Sequence, residues 1–252
     1  MQKLPNLTID RFLEDGFDLR RQLAEFLVLT EKELEYQLLS STDSLAGIHP
    51  GNFNLEQVGT FYENTVGINH LLELAAWHLS GSSNYIADTL RLQASFARGQ
   101  HLDFGGGIAT HALAAAALPE VENVWFVDLN PHNRAFAKSR AEQLGLESKL
   151  YCSRDLDDPR LPKRFDTIVC LDVLEHLNNP SNQLEIFAQR MGSHSAIILN
   201  WHFFKGFTGE YPFHFDDLGL VEYFFKTVQH KFIEIFHPYL ITARAYRLNE
   251  LK

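Results

Sequence analysis

The stretch His101-Leu102-Asp103-Phe104-Gly105-Gly106-Gly107-Ile108-Ala109-Thr110 decides the fold. A short apolar run closes on an acid, a glycine turn follows at once, and an alanine-rich helix is predicted over 110–118. Glycines let the backbone pass close to a ligand and take turn conformations closed to other residues. Amide groups at the start of the next helix can meet an anionic ligand group. Many folds carry a glycine-rich turn, so its meaning depends on the elements around it.

Toward the C-terminus, apolar strands are predicted at 101–104, 124–127, 149–152, 167–171 and 196–200, alternating with helices. That grammar belongs to a parallel sheet covered on both faces. The helix between the second and third strands is well marked: Asn130 caps it, Pro131 suits its first position, and Gly145 closes the run 132–144. Residues 232–236 and 240–248 read as a terminal hairpin around His237-Pro238-Tyr239. The expected fold is α/β, a Rossmann-like, seven-stranded, mostly parallel sheet with helices on both faces, whose last strand inserts antiparallel.

Toward the N-terminus the pattern is helical. A short helix is expected near 9–14; Thr30 and Glu33 have capping-box spacing, and Leu34, Leu38 and Leu39 are expected on one face of the helix that follows. Residues 41–52 read as a loop. A long helical stretch over 58–79 is expected to bend or break at Gly59 and Gly67, and a third helix over 86–98 to stop at Gly99. The chain thus divides into an all-helical N-terminal subdomain or lid, 1–98, and a ligand-binding sheet domain, 99–252.

The chain has 22 basic against 32 acidic residues, and the net charge of −10 opposes general attraction to nucleic acid or anionic membrane surfaces. Cys152 and Cys170 lie in predicted strands without metal-ligand spacing, as buried thiols do. No apolar run is long enough to span a bilayer and no leader-like pattern opens the chain, so a cytoplasmic protein is expected. Oligomeric state is left open.

Asp128 ends the second predicted strand, 25 residues after Asp103. A carboxylate at that strand tip can accept both hydroxyls of an adenosine ribose. A nicotinamide fold would prefer glycine as the sixth residue counted from Gly105, where Thr110 stands.

With these residues in place, the chain resembles the class I S-adenosylmethionine-dependent methyltransferase superfamily, of the kind that acts on small molecules, over about residues 99–248. Its first motif lies at Asp103 to Ala109, with Ala109 where the third glycine often stands; one added methyl is tolerable if that glycine serves helix packing. The resemblance implies S-adenosylmethionine as cofactor and S-adenosylhomocysteine as product. It places the cofactor against Asp103, Phe104, Gly105, Gly106 and Gly107, with Asp128 and Leu129 at the ribose. It also implies Asp155 and Leu156 beside the adenine, and Leu171 and Asp172, in the segment Phe165 to His176, at the methionine end.

Methyl transfer is an in-line displacement, so holding nucleophile and methyl together supplies much of the catalysis. A base is needed only where the nucleophile must lose a proton. His214, His202 and His176 are the candidates, in that order. Aromatic residues after the fifth strand, 201–207 and 211–215, can wall an apolar or aromatic small-molecule acceptor or simply pack. Asp172 and His176, four apart, would share a helix face with His202 and His214 near, but no HExxH or Cys/His pattern supports a metal, and none is expected. Tyr62, Glu63 and His70 are residues a lid could present. No Asn/Asp-Pro-Pro-Tyr/Phe tetrapeptide, of the kind that methylates amino groups of nucleic acid or glutamine, is present. The alternatives are a non-catalytic binding or scaffold module on the same fold and, further off, a nicotinamide-dependent oxidoreductase.

Overall fold

The computed structural model describes residues 4–48, 57–207, 214–238 and 241–250, with the backbone alone at 42–46. Its seven strands are β1 (Gly99–Phe104), β2 (Val121–Val127), β3 (Leu150–Ser153), β4 (Phe165–Cys170), β5 (Met191–Leu199), β6 (Phe232–Phe236) and β7 (Arg244–Leu248). They form one sheet in the order β3-β2-β1-β4-β5-β7-β6. β1 to β5 run parallel, while β7 lies antiparallel between β5 and β6. The expected Rossmann-like sheet with an inserted antiparallel last strand is therefore what the chain builds.

Helices α7 (Thr110–Ala116) and α8 (Pro131–Leu144) follow β1 and β2, while α9 (Pro180–Gln189) and α10 (Leu218–Lys231) flank β5. Successive strand residues point to opposite faces, and the core divides accordingly. Ile168 and Ile197 face α9 and α10 through Leu184, Phe187 and Phe224, whereas their neighbours Val169 and Ile198 meet Leu92 on the other face. Val124 and Phe126 pack there against alanines of α7 and α8. The caps of α8 are as the sequence dictates: Asn130 Oδ1 accepts the His132 amide at 2.8 Å, and Gly145 closes the helix in a left-handed conformation.

The N-terminal helices are α1 (Ile9–Asp15), α2 (Leu19–Leu27), α3 (Glu31–Ile48), α4 (Val58–Asn64), α5 (Asn69–His78) and α6 (Ser83–Ala94). The capping box forms, with the Thr30 amide donating to Glu33 Oε2 at 2.8 Å. Leu39 is exposed while Leu34 and Leu38 are buried, because five residues of helix turn through about 500°, which carries Leu39 off the Leu34 face. The predicted loop at 41–52 begins later, since α3 runs to Ile48 with Ser41 Oγ bonded back to the Leu38 carbonyl at 2.9 Å; 49–52 lie outside the described residues. The 58–79 stretch breaks at Gly67 and not at Gly59, which lies inside α4. The last helix ends at Ala94, and Gly99 instead opens β1, where a side chain would collide with Asp166 as it accepts the Gln100 amide. Residue 240, placed in the last strand from sequence, and 211–213 of the aromatic stretch lie outside the described residues.

This helical layer does not stand apart. Ile108 and Phe136 share a cluster with Leu19, Leu34 and Leu71. Arg140 of α8, fully buried, donates to Gln22 Oε1 (2.7 Å), the Gly16 carbonyl (2.9 Å) and the Ile108 carbonyl (2.7 Å), tying α1 and α2 to the turn after β1.

Candidate active site

The chain starts its sheet in the middle, moves out through β2 and β3, and returns to β4 on the other side of β1. Ligands of open α/β sheets bind at such a reversal, outside the carboxyl ends of the strands. Register aligns those ends, with Phe104 opposite Val127 and Asp103 opposite Val169. The glycine turn, Asp128, Leu171, Asp172 and Asn200 therefore gather at one edge.

Gly105 and Gly107 have φ of +71° and +55°, a region that suits glycine. A Cβ on Gly105 would stand 2.4 Å from Val173 Cγ2, and one on Gly106 would stand 2.5 Å from Asp103 Oδ2. Backbone alone fits in this turn. Ala109 also has positive φ, +65°, so the position asks for glycine on conformational grounds and not solely for helix packing. Asp103 is buried, and its Oδ2 has no hydrogen-bond partner among the described residues. Burial, against a bond from the Ala112 amide, lifts its carboxyl to about 7.

Asp128 is buried at the tip of β2. Its Oδ2 accepts the Gly107 amide at 3.0 Å, Oδ1 accepts the Asn130 amide at 2.8 Å, and Asn133 Nδ2 reaches both oxygens at 3.1 Å. Burial raises it to about 6, with these donors opposing. One carboxylate thus braces the glycine turn against the start of α8. Leu129 beside it is half-buried below α4, and Leu74 of α5 lies over Gly107.

The remaining predicted residues fall in three places. Phe104 packs edge-on against Phe187 with ring centres 5.2 Å apart. Asp155 pairs with Arg154 and accepts the Asp157 amide at 3.0 Å, while Leu156 sits in the main core cluster. Leu171 packs against the cluster of Val169 and Ile198, and Asp172 follows it with φ of +55°.

Asp172 and His176 do not share a helix face, because Asp172 has left-handed backbone and the following turn, Leu174–His176, is a 3-10 helix. The structure groups them differently. His202 Nε2 lies 3.4 Å from Asp172 Oδ1, and that partner holds the imidazole above its usual range. His176 and His214 stack edge-to-face with ring centres 4.8 Å apart, and Tyr62 Oη reaches His176 Nδ1 at 3.3 Å. Burial lowers His214, whose Nδ1 faces the Phe204 carbonyl at 3.1 Å.

The helical layer presents the other two residues named from sequence. Glu63 pairs with Arg154 at 2.5 Å, and His70 Nδ1 meets Asn133 Nδ2 at 3.2 Å. Of the aromatic stretch, Trp201 and Phe203 pack onto Phe224 of α10, whereas Phe204 and Phe207 are exposed.

Sequence reasoning gave no role to Glu175 or Asn200. Glu175 is fully buried between Asp172, His176, His202 and His214. Burial, reinforced by the Asp172 charge, lifts it to about 8. Asn200, at the end of β5, donates to Asp172 Oδ1 (2.7 Å) and Tyr85 Oη (2.6 Å) and accepts the Asp172 amide (2.5 Å), fixing the strained residue. Its only sequence signal was its position at a strand end.

Residues 79–202 match a protein family described as "Methyltransferase domain". The mitochondrial ubiquinone biosynthesis O-methyltransferase of Schizosaccharomyces pombe is 25% identical over 150 residues, covering 53% of this chain and 53% of that protein, so the chain spans about half the length of this curated relative. Among solved structures, the N-methyltransferase NodS of Bradyrhizobium japonicum WM9, in complex with S-adenosyl-L-homocysteine, has a TM-score of 0.52 at 14% identity, over 79% of this chain and 100% of that one. The geranyl diphosphate C-methyltransferase of Streptomyces coelicolor A3(2) has a TM-score of 0.53 at 10% identity, over 75% and 82%. These likenesses concern the fold.

Proposed function

We propose that the chain, whose residues 79–202 match a methyltransferase domain, is a class I S-adenosylmethionine-dependent methyltransferase that transfers a methyl group to a small-molecule acceptor. The observation that carries the reading is the brace between Asp128 and Gly107 at the sheet's reversal point. A buried acid and a side-chain-free turn meet where a nucleoside and a carboxylate would lie. When bound, S-adenosylmethionine supplies an electrophilic methyl on its sulfonium.

In this reading Gly105, Gly106, Gly107 and the start of α7 take the methionine carboxylate side, with Asp103 beneath them. Asp128 and Leu129 hold the ribose, Asp155 and Leu156 flank the adenine, and Leu171 and Asp172 border the methionine end. Residues 1–98 act as a lid, because Leu74 and Tyr62 already lie over the turn and over His176. His214 is the proton acceptor of choice: burial lowers its imidazole, and backbone contacts to Phe204 and His202 orient the ring beside His176. Phe204 and Phe207 offer an apolar or aromatic acceptor its wall. Nucleic acid and membranes are not the expected partners at a net charge of −10, and no described helix is long and apolar enough to cross a membrane. The free, buried thiols Cys152 and Cys170 suit a reducing compartment such as the cytoplasm.

The test is incubation with S-adenosylmethionine and a panel of phenols, carboxylates and amines, following S-adenosylhomocysteine by mass spectrometry. Product formation that depends on one acceptor class supports transfer. Cofactor binding without product from any of them supports the binding-module alternative instead.

A further inference from the structure

Among the described residues, Arg140 of α8 is a fully buried cation that meets no carboxylate. Its acceptors are all neutral: Gln22 Oε1, the Gly16 and Ile108 carbonyls, and Thr110 Oγ1 at 3.4 Å. The Phe136 ring, 5.7 Å from the guanidinium carbon, carries no net charge either. Asp15 and Asp18 favour the cation through space, yet Asp18 is paired with Arg21 at the surface. Burial draws Arg140 down to about 9, which leaves it protonated near pH 7. Buried charges ordinarily sit against an opposite charge, because their desolvation is otherwise uncompensated.

The position of Arg140 indicates where that charge would lie. Ile108 directly follows Gly107, and Thr110 opens α7, so the guanidinium holds the far end of the glycine turn. Asp128 holds the same turn one residue earlier, at the Gly107 amide. The turn itself, 105–109, has no basic side chain. Asp103 and Asp128, both buried against it, disfavour a further carboxylate there when ionised. A carboxylate at this turn therefore gains from a positive charge nearby that offsets theirs. We propose that Arg140 is a positioning residue for the cofactor: its charge, held against the Ile108 carbonyl, secures the carboxylate of S-adenosylmethionine at the glycine turn. Being fully buried, it acts without touching the ligand.

The inference rests on the methyl-transfer reading and deepens it, because it assigns recognition of the cofactor's carboxylate to a residue that no strand end supplies. A clamp that merely braced helices would need donors and no charge. Arg140 is placed by α1 and α2, through Gly16 and Gln22, so those helices fix the charge relative to the turn. Lysine at this position keeps the charge and loses the planar fork, whereas glutamine keeps a donor and loses the charge. The two substitutions therefore separate field from bracing.

The experiment is calorimetric titration of the full chain with S-adenosylhomocysteine and with its decarboxylated counterpart, which keeps the adenosine, the thioether and the amine. The readout is the ratio of the two affinities in each variant, because loss of packing weakens both ligands alike. Expected is a preference for the carboxylate ligand that falls at least about fivefold in Arg140→Gln and stays within about twofold of wild type in Arg140→Lys. Gln22→Leu, which disturbs the same buried contacts and leaves the cation, keeps the wild-type ratio. Arg140→Met, a second neutral variant, decides the matter if Arg140→Gln does not fold. A ratio unchanged in the neutral variants, or lost as fully in Arg140→Lys, overturns the assignment and leaves Arg140 a brace. Wild type that binds neither ligand sinks the methyl-transfer reading itself, so the two failures are distinguishable.

Discussion

Gly106→Ala isolates the demand that the turn be free of side chains. The new Cβ would lie 2.5 Å from Asp103 Oδ2 and 2.6 Å from Phe126 Cε2. Both neighbours are buried, Phe126 completely, so neither can swing away. Overpacking costs about 1–3 kcal/mol, and two hard contacts at one methyl put this case near about 2–3 kcal/mol. Gly59→Ala is the matched control. There the methyl would meet only Leu129 Cδ1 at 3.8 Å, an ordinary contact inside helix α4, so the loss of a helical glycine yields a gain of up to about 0.5–1 kcal/mol. Urea unfolding followed by tryptophan fluorescence reads both, and with the usual slopes the Gly106 variant's midpoint falls by about 1 M. The same variant is expected to lose at least about tenfold in S-adenosylmethionine affinity, about 1.4 kcal/mol. A Gly106→Ala protein within about 0.5 kcal/mol of wild type, the ordinary scatter of surface changes, would refute the steric argument.

Two further outcomes follow from buried polar groups. Asp103 titrates near 7 in the fold against an ordinary 3.8, so its contribution is full below pH 4 and lost as pH rises to about 7. At about 1.4 kcal/mol per pH unit, the stability of wild type relative to Asp103→Asn should fall by up to about 4 kcal/mol across that range; thermal melts showing a pH-independent difference would contradict this. Arg140→Met leaves Gln22 and the Gly16 and Ile108 carbonyls without their donor. At about 1–3 kcal/mol for each orphaned group, less the relief of a buried charge, the loss is about 3 kcal/mol, and proteolysis should release residues 1–30 faster than in wild type.

What the sequence made legible was local. The acid, the glycine turn and the cap residues Asn130, Pro131 and Gly145 each act within a few residues, so their geometry follows from neighbours alone. Strand register then brings Asp128 to Gly107 without further information. Helix boundaries in the first third were harder, because Ser41 is accommodated inside α3 with its hydroxyl bonded back to the Leu38 carbonyl, and because Gly99 serves β1 and not α6. The far end of the site was least legible. Glu175, His202 and Asn200 meet only through the spacing of β4 and β5, and the left-handed backbone at Asp172 replaced the helix that would have aligned it with His176.

The most direct test of the account is calorimetric titration of S-adenosylmethionine and S-adenosylhomocysteine into wild type and Asp128→Ala, with NAD as control. Micromolar binding of the first two is expected, weakened at least about tenfold (about 1.4 kcal/mol) in the variant, with none of NAD. Binding of neither, or of NAD alone, would contradict it.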